Sequence, residues 1–357
     1  MMQEFQHRNI FLWRKERLSM TNDKRPDRPH LLLSMRYPSR KEAKDLFDAF
    51  QTAQGAFPRI PFGIEVNINY NPLSNLPVIL ENADRLIAMT TAAGLPYSLH
   101  LPSLHNLDDE QIARLSAWLS GKDPLYCVIH AGDYAFDGQP PLSSGDYLRI
   151  IDDCRRKLVR LSQSKNLYVE TLPWVRLEKK KAVPTGRIFP ITCVGVFHQD
   201  LSALTQDLGC PVLIDVEHLY QSLWGLKQFP GQTTACLHPA DDVERACLER
   251  YGTFVRDGRM ILAASADHCF RRQLALIATD RYHFTGSYRT LAGGRNAAHR
   301  EITDNRYART ILRHILAQRP SSITTEACMD EQPRYSPDVQ IRSLRNLAAI
   351  VEEYLFT

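Results

Sequence analysis

Six stretches of this chain carry an apolar or β-branched run up to a side chain that can ligate a metal or move a proton. Leu95-Pro-Tyr-Ser-Leu-His100 and Leu125-Tyr-Cys-Val-Ile-His130 end in imidazoles. Leu167-Tyr-Val-Glu170, Cys210-Pro-Val-Leu-Ile-Asp215 and Ser322-Ile-Thr-Thr-Glu326 end in carboxylates, and Arg281-Tyr-His-Phe-Thr285 carries His283. His218 follows Asp215 by three places. Carboxylate oxygen is a hard donor and imidazole nitrogen a borderline one, a mixture suited to manganese, zinc, cobalt or iron(II). Each residue alone reads as an ordinary cap or loop hydrogen-bonder. Together they are harder to dismiss, because carboxylates buried side by side repel and need a cation to neutralise them.

Such residues meet only if their strands point the same way. Strand-like runs at 30–36, 62–68, 95–100, 125–130, 167–170, 211–215, 281–285 and 322–326 alternate with helical spacing at 39–53, 75–93, 108–120, 144–164, 198–208, 304–318 and 336–354. Alternation with helical crossovers predicts a parallel sheet. Eight units predict an α/β fold, a closed (β/α)8 TIM barrel whose strand C-termini share one mouth. No Gly-rich phosphate loop follows the first strand, which weighs against an open doubly wound sheet. Residues 1–28 read as a flexible N-terminal extension and 29–357 as a single barrel domain. Residues 221–280 read as a helical insertion between the sixth and seventh strands, with helical patterns near 240–256 and 266–279. Residues 171–191 read as a long loop.

The chain has 357 residues, 44% of them hydrophobic, and a net charge of +4. That balance suits a soluble globular protein and does not announce a nucleic-acid binder. Its eight cysteines form no C-x-x-C pair and read as reduced thiols. No apolar run of about 18 residues predicts a membrane span, and the basic, polar N-terminus lacks a signal-peptide core. The expected location is cytoplasmic.

The motifs His100-Leu-Pro-Ser-Leu-His-Asn-Leu107, Val128-Ile-His-Ala-Gly132, Val169-Glu-Thr171, Asp215-Val-Glu-His218, Tyr282-His-Phe284 and Thr324-Thr-Glu326 resemble, in order, the strand-end motifs of the xylose-isomerase-like TIM barrels. That superfamily includes endonuclease IV and the sugar-phosphate isomerases and epimerases. The resemblance spans about residues 30–354. It implies a central divalent metal on Glu170, Asp215, His283 and Glu326. It implies a second on His100 and His130 with Glu170 bridging, and a third near His218 and His299. The third departs from the family pattern, because Asn296-Ala-Ala-His299 has Ala297 where an Asp is expected. The resemblance thus implies one to three ions of manganese, zinc, cobalt or iron.

The leading expectation is isomerisation or epimerisation of a small sugar or sugar phosphate through a metal-stabilised enediolate. Glu170 and Glu326 would exchange the proton, and His218 and Arg289 would hold the substrate. A multinuclear zinc phosphodiester hydrolase of the endonuclease IV type is the alternative, with Trp174 and its neighbour Arg176 as substrate-facing loop residues. Nucleic acid is a possible partner of that alternative but is not favoured. A multinuclear iron oxidase acting on peptides and a barrel kept only as a binding scaffold are further readings. A homo-oligomer is compatible with all of them.

Overall fold

The computed structural model describes residues 28–35, 40–69, 75–133, 144–162, 166–173, 176–180, 183–189, 193–205, 208–228, 249–256, 259–262, 264–286, 299–328 and 336–357. The expected N-terminal extension lies outside them, apart from its last residue. Eight strands close a barrel. In chain order they are β1 (His30–Met35), β2 (Phe62–Asn67), β3 (Tyr97–His100), β4 (Cys127–His130), β6 (Leu167–Glu170), β10 (Val212–Asp215), β13 (Arg281–Phe284) and β14 (Ser322–Thr325). Around the barrel the order is β1-β14-β13-β10-β6-β4-β3-β2, and every barrel pairing is parallel. The helices of the wheel are α1 (Arg40–Gly55), α2 (Leu76–Ala92), α3 (Asp109–Ser120), α4 (Ser144–Ser162), α5 (His198–Thr205), α6 (Val216–Gln228), α7 (Ala266–Leu276), α8 (Arg306–Leu316) and α9 (Pro337–Phe356).

Both faces of these strands are buried, which is why they read as unbroken apolar runs rather than as alternation. Leu31 and Leu33 join the large core between strands and helices, while Leu32 joins an inner cluster with Tyr126, Val128, Tyr168 and Leu213. At the starts of the strands the Arg281 guanidinium lies 4.2 Å from the Tyr126 ring centre and 5.0 Å from that of Tyr168. These residues floor the barrel, so its other end carries the opening. Capping fixes where helices begin. Asp108 accepts from the Gln111 N–H at 2.8 Å, and Gln111 Oε1 accepts from the Asp108 N–H at 2.9 Å, a reciprocal box that starts α3.

Two expectations needed correction. Residues 171–191 are not all loop, because β7 (Arg176–Lys180) pairs antiparallel with β8 (Val183–Phe189). The segment 221–280 is not all helix, because β11 (Thr253–Arg256) and β12 (Arg259–Leu262) form a hairpin within it. Gly252 takes φ +86°, a conformation that stops a helix, and β-branched Thr253 and Val255 then extend. A short pair joins β5 (Gly132–Asp133) to β9 (Cys193–Val194) beside the mouth. No helix among the described residues is long and apolar enough to cross a membrane.

Candidate metal centre

Strand register places the ligand-type residues at one level. His130 lies opposite Glu170 across β4 and β6, and Asp215 lies opposite His283 across β10 and β13. Asn67 lies opposite His100 across β2 and β3. Glu326 follows β14 directly. Glu170, Asp215 and His283 expose none of their surface, and His100 exposes 2%.

Glu170 is the hub. Its Oε2 lies 3.2 Å from His100 Nε2 and 3.0 Å from His130 Nε2. Its Oε1 lies 3.3 Å from His283 Nδ1 and 3.7 Å from His218 Nδ1. Ligand atoms of Glu170, Asp215, His283 and Glu326 all fall within 4.8 Å of one another, and so do those of His100, His130 and Glu170. His100, His283 and Glu326 form a third, overlapping group.

The donors fit divalent cations. His130 Nε2, both oxygens of Glu170, Asp215 Oδ2 and His283 Nδ1 are buried without a hydrogen-bond partner among the described residues. Orphaned buried polar atoms are costly, and here they are the atoms that would ligate. The far ring nitrogens are engaged. The His100 Nδ1–H donates to Leu101 O at 3.2 Å, and the His218 Nδ1–H to Thr171 O at 2.6 Å. Glu326 Oε1 accepts from Asn67 Nδ2 at 3.3 Å and Ser34 Oγ at 3.5 Å.

Burial and charge pull these groups apart. Burial pushes the Glu170 carboxyl up, but the imidazoles of His130, His283 and His100 beside it outweigh that, holding the group well below the carboxylate range. Asp215 goes the other way, raised well above its ordinary value by burial and by the charges of Glu170 and Glu217. Burial lowers His283 and His100, yet the surrounding carboxylates raise both on balance. Burial lowers His218 to about 4, so it is a neutral imidazole near pH 7.

Comparison with known proteins finds no matching family model and no matching curated protein. Among solved structures, endonuclease IV from Thermus thermophilus aligns with a TM-score of 0.45 and 17% identity, covering 91% of this chain and 100% of that one. A Xylose Isomerase domain protein from Alicyclobacillus acidocaldarius subsp. acidocaldarius aligns with a TM-score of 0.43 and 11% identity, covering 91% of this chain and 99% of that one. The barrel assignment itself rests on the closed strand order.

Six of the seven expected ligands come together: His100, His130, Glu170, Asp215, His283 and Glu326. The seventh, His299, stands at the edge, its Nδ1 3.4 Å from Glu217 Oε2 and 3.8 Å from Glu326 Oε2. Among the described residues no third ligand group forms around His218 and His299. Trp174, Arg289 and Ala297 lie outside the described residues.

Two buried acids were not foreseen. Glu217 accepts the His299 N–H at 2.9 and 3.0 Å, which holds His299 at φ +55°. Glu65 lies 3.1 Å from His283 Nε2. A lone Glu inside Phe62-Gly-Ile-Glu-Val-Asn67, an otherwise apolar strand, was the available signal.

Proposed function

We propose that this chain is a divalent-metal-dependent enzyme whose barrel mouth binds two adjacent ions bridged by Glu170, and that it hydrolyses a phosphate ester of a small sugar-type substrate. The observation that carries the two-ion reading is the posture of Glu170, each of whose oxygens faces a different ligand group. Two neighbouring divalent ions would supply Lewis-acid activation of a phosphoryl oxygen and a hydroxide near neutral pH.

The chain's own residues then divide the work. Asp215, His283 and Glu326 would hold one ion and His100 and His130 the other. His218, neutral and with its Nδ1 proton engaged by Thr171 O, keeps Nε2 as an acceptor for a proton or a substrate hydroxyl. Trp174 and Arg289 are proposed to contact substrate. The modest net charge of +4 favours a small substrate over a nucleic acid.

Isomerisation or epimerisation is the second reading. It is favoured by the completeness of the four-ligand group, in which Glu170 and Glu326 supply two carboxylates to one site.

Metal analysis of zinc-loaded protein separates the readings. Two ions per chain are expected in the wild type, and one in the His100→Ala/His130→Ala double variant. A chromogenic phosphate monoester should turn over only in the two-ion form. A wild type that saturates at one ion would overturn the bridged centre and leave the isomerase reading standing. Iron copurifying at two ions per chain, with no phosphatase activity, would point to oxidative chemistry instead.

A further inference from the structure

Glu65 belongs to none of the three ligand groups, yet it is one of the most deeply buried acids among the described residues. It sits inside β2 with none of its surface exposed. Its Oε2 lies 3.1 Å from His283 Nε2. Three hydroxyls converge on the same oxygen: Tyr126 Oη at 3.3 Å, Thr324 Oγ1 at 3.4 Å and Ser98 Oγ at 3.5 Å. The other face of the His283 ring looks into the site, where Nδ1 lies 3.3 Å from Glu170 Oε1 and 3.7 Å from Glu326 Oε2.

A neutral imidazole carries one N–H, and the nitrogen that carries it cannot ligate a metal. An acceptor fixed at one nitrogen therefore decides which nitrogen is left bare. A carboxylate in that place also raises the basicity of the ligating nitrogen and stops the ring from turning over.

We infer that Glu65 is a positioning residue of the metal centre: by accepting the Nε2 proton of His283 it keeps Nδ1 bare and aimed at Glu170 and Glu326. The hydroxyls of Tyr126, Thr324 and Ser98 hold the carboxylate in line. Glu65 does not touch substrate. This role rests on the reading of the mouth as a metal centre and adds to it the group that prepares one ligand.

The test is zinc affinity, measured by competition with a chromophoric chelator, beside the ring 15N shifts of His283. Glu65→Leu removes the acceptor and should weaken zinc binding at the four-ligand group by about 10–100-fold. Glu65→Gln keeps an oxygen that can accept and should lose less. In a His283→Ala background neither substitution should weaken binding further, because Glu65 acts through that ring. In zinc-loaded wild type, the His283 shifts should show a protonated Nε2 and a zinc-bound Nδ1.

Wild-type affinity in Glu65→Leu, an equal loss in the His283→Ala background, or a proton on Nδ1 would each overturn the role of Glu65 while leaving the metal centre intact. A wild type that takes up no zinc would overturn both. If Glu65→Leu fails to fold, the wild-type ring shifts decide alone.

Discussion

At the scale of single residues, Glu170 and Glu326 look alike in sequence and differ in what surrounds them. Glu170 offers each oxygen to a different set of imidazoles, and neither oxygen has a hydrogen-bond partner among the described residues. Glu326 has one oxygen held by Asn67 and Ser34 and shares only the groups that contain His283. The two Gln substitutions should therefore behave differently. Glu170→Gln removes the shared anion, so both ions should be lost, and the activity with them. Glu326→Gln should keep the ion held by His100, His130 and Glu170 and lose the other. Metal content of the purified variants checks this, and two ions retained in Glu170→Gln would remove the bridge. The six grouped side chains were legible because each lies at or next to the end of a strand, a position a linear sequence displays. Glu65 was not, because its meaning depends on His283, 218 places later in the chain. Glu217 is not legible for the same reason, because its partners Thr285 and His299 lie far along the chain.

At the scale of elements, the mouth is as rigid as the segments that leave the strands. Gly286 follows β13, and its N–H donates to Arg300 O at 2.8 Å. A Cβ there would lie 1.8 Å from Glu301 O and 2.5 Å from Glu301 C. Both are backbone atoms, so the neighbouring chain would have to move rather than a flexible side chain. That chain carries His299, held at positive φ by Glu217. Gly286→Ala should cost about 1–3 kcal/mol by overpacking, visible as a lower urea midpoint. Ion stoichiometry should be unchanged, since none of the six grouped ligands lies on the displaced segment. An unaltered midpoint would mean that the close approach relaxes freely. The barrel strands were legible for the reason they are stable, burial on both faces. The hairpins β7–β8 and β11–β12 do not stand out in the sequence because each strand is short, and β7 is largely charged, as in Arg176-Leu-Glu-Lys-Lys180. A strand of so few residues is too short to set a clear period.

For the whole molecule, the barrel concentrates charge that its fold alone does not neutralise. Glu65, Glu170, Asp215 and Glu217 are each at most 2% exposed, and Glu326 is 8% exposed. Without a cation, protons must serve, and stability then depends on pH through each shifted group. His283 and His100 are raised in the fold above their ordinary 6.5. Their contribution is present in full below pH 6.5 and is lost as pH rises through the raised values. Asp215, also raised, has the same sign. Glu170 and Glu326 are lowered, so their contribution is lost as pH falls below the ordinary 4.5. His218 and His198, each lowered to about 4, cost stability as pH falls from 6.5 towards 4. Chelated protein should therefore be most stable near pH 6.5 and weaken on both sides. Bound cations would take the place of the protons on the alkaline side. Zinc at a fixed concentration about 100 times its Kd at pH 7 should add roughly 2.7 kcal/mol per occupied site there, and at that same concentration the gain should widen between pH 7 and about 9. Thermal unfolding of chelated and zinc-loaded protein across that range reads the difference directly. Curves that stay parallel from pH 6 to 9 would mean that ions and protons do not compete for these side chains, and the mouth of the barrel would then have to be neutralised in some other way.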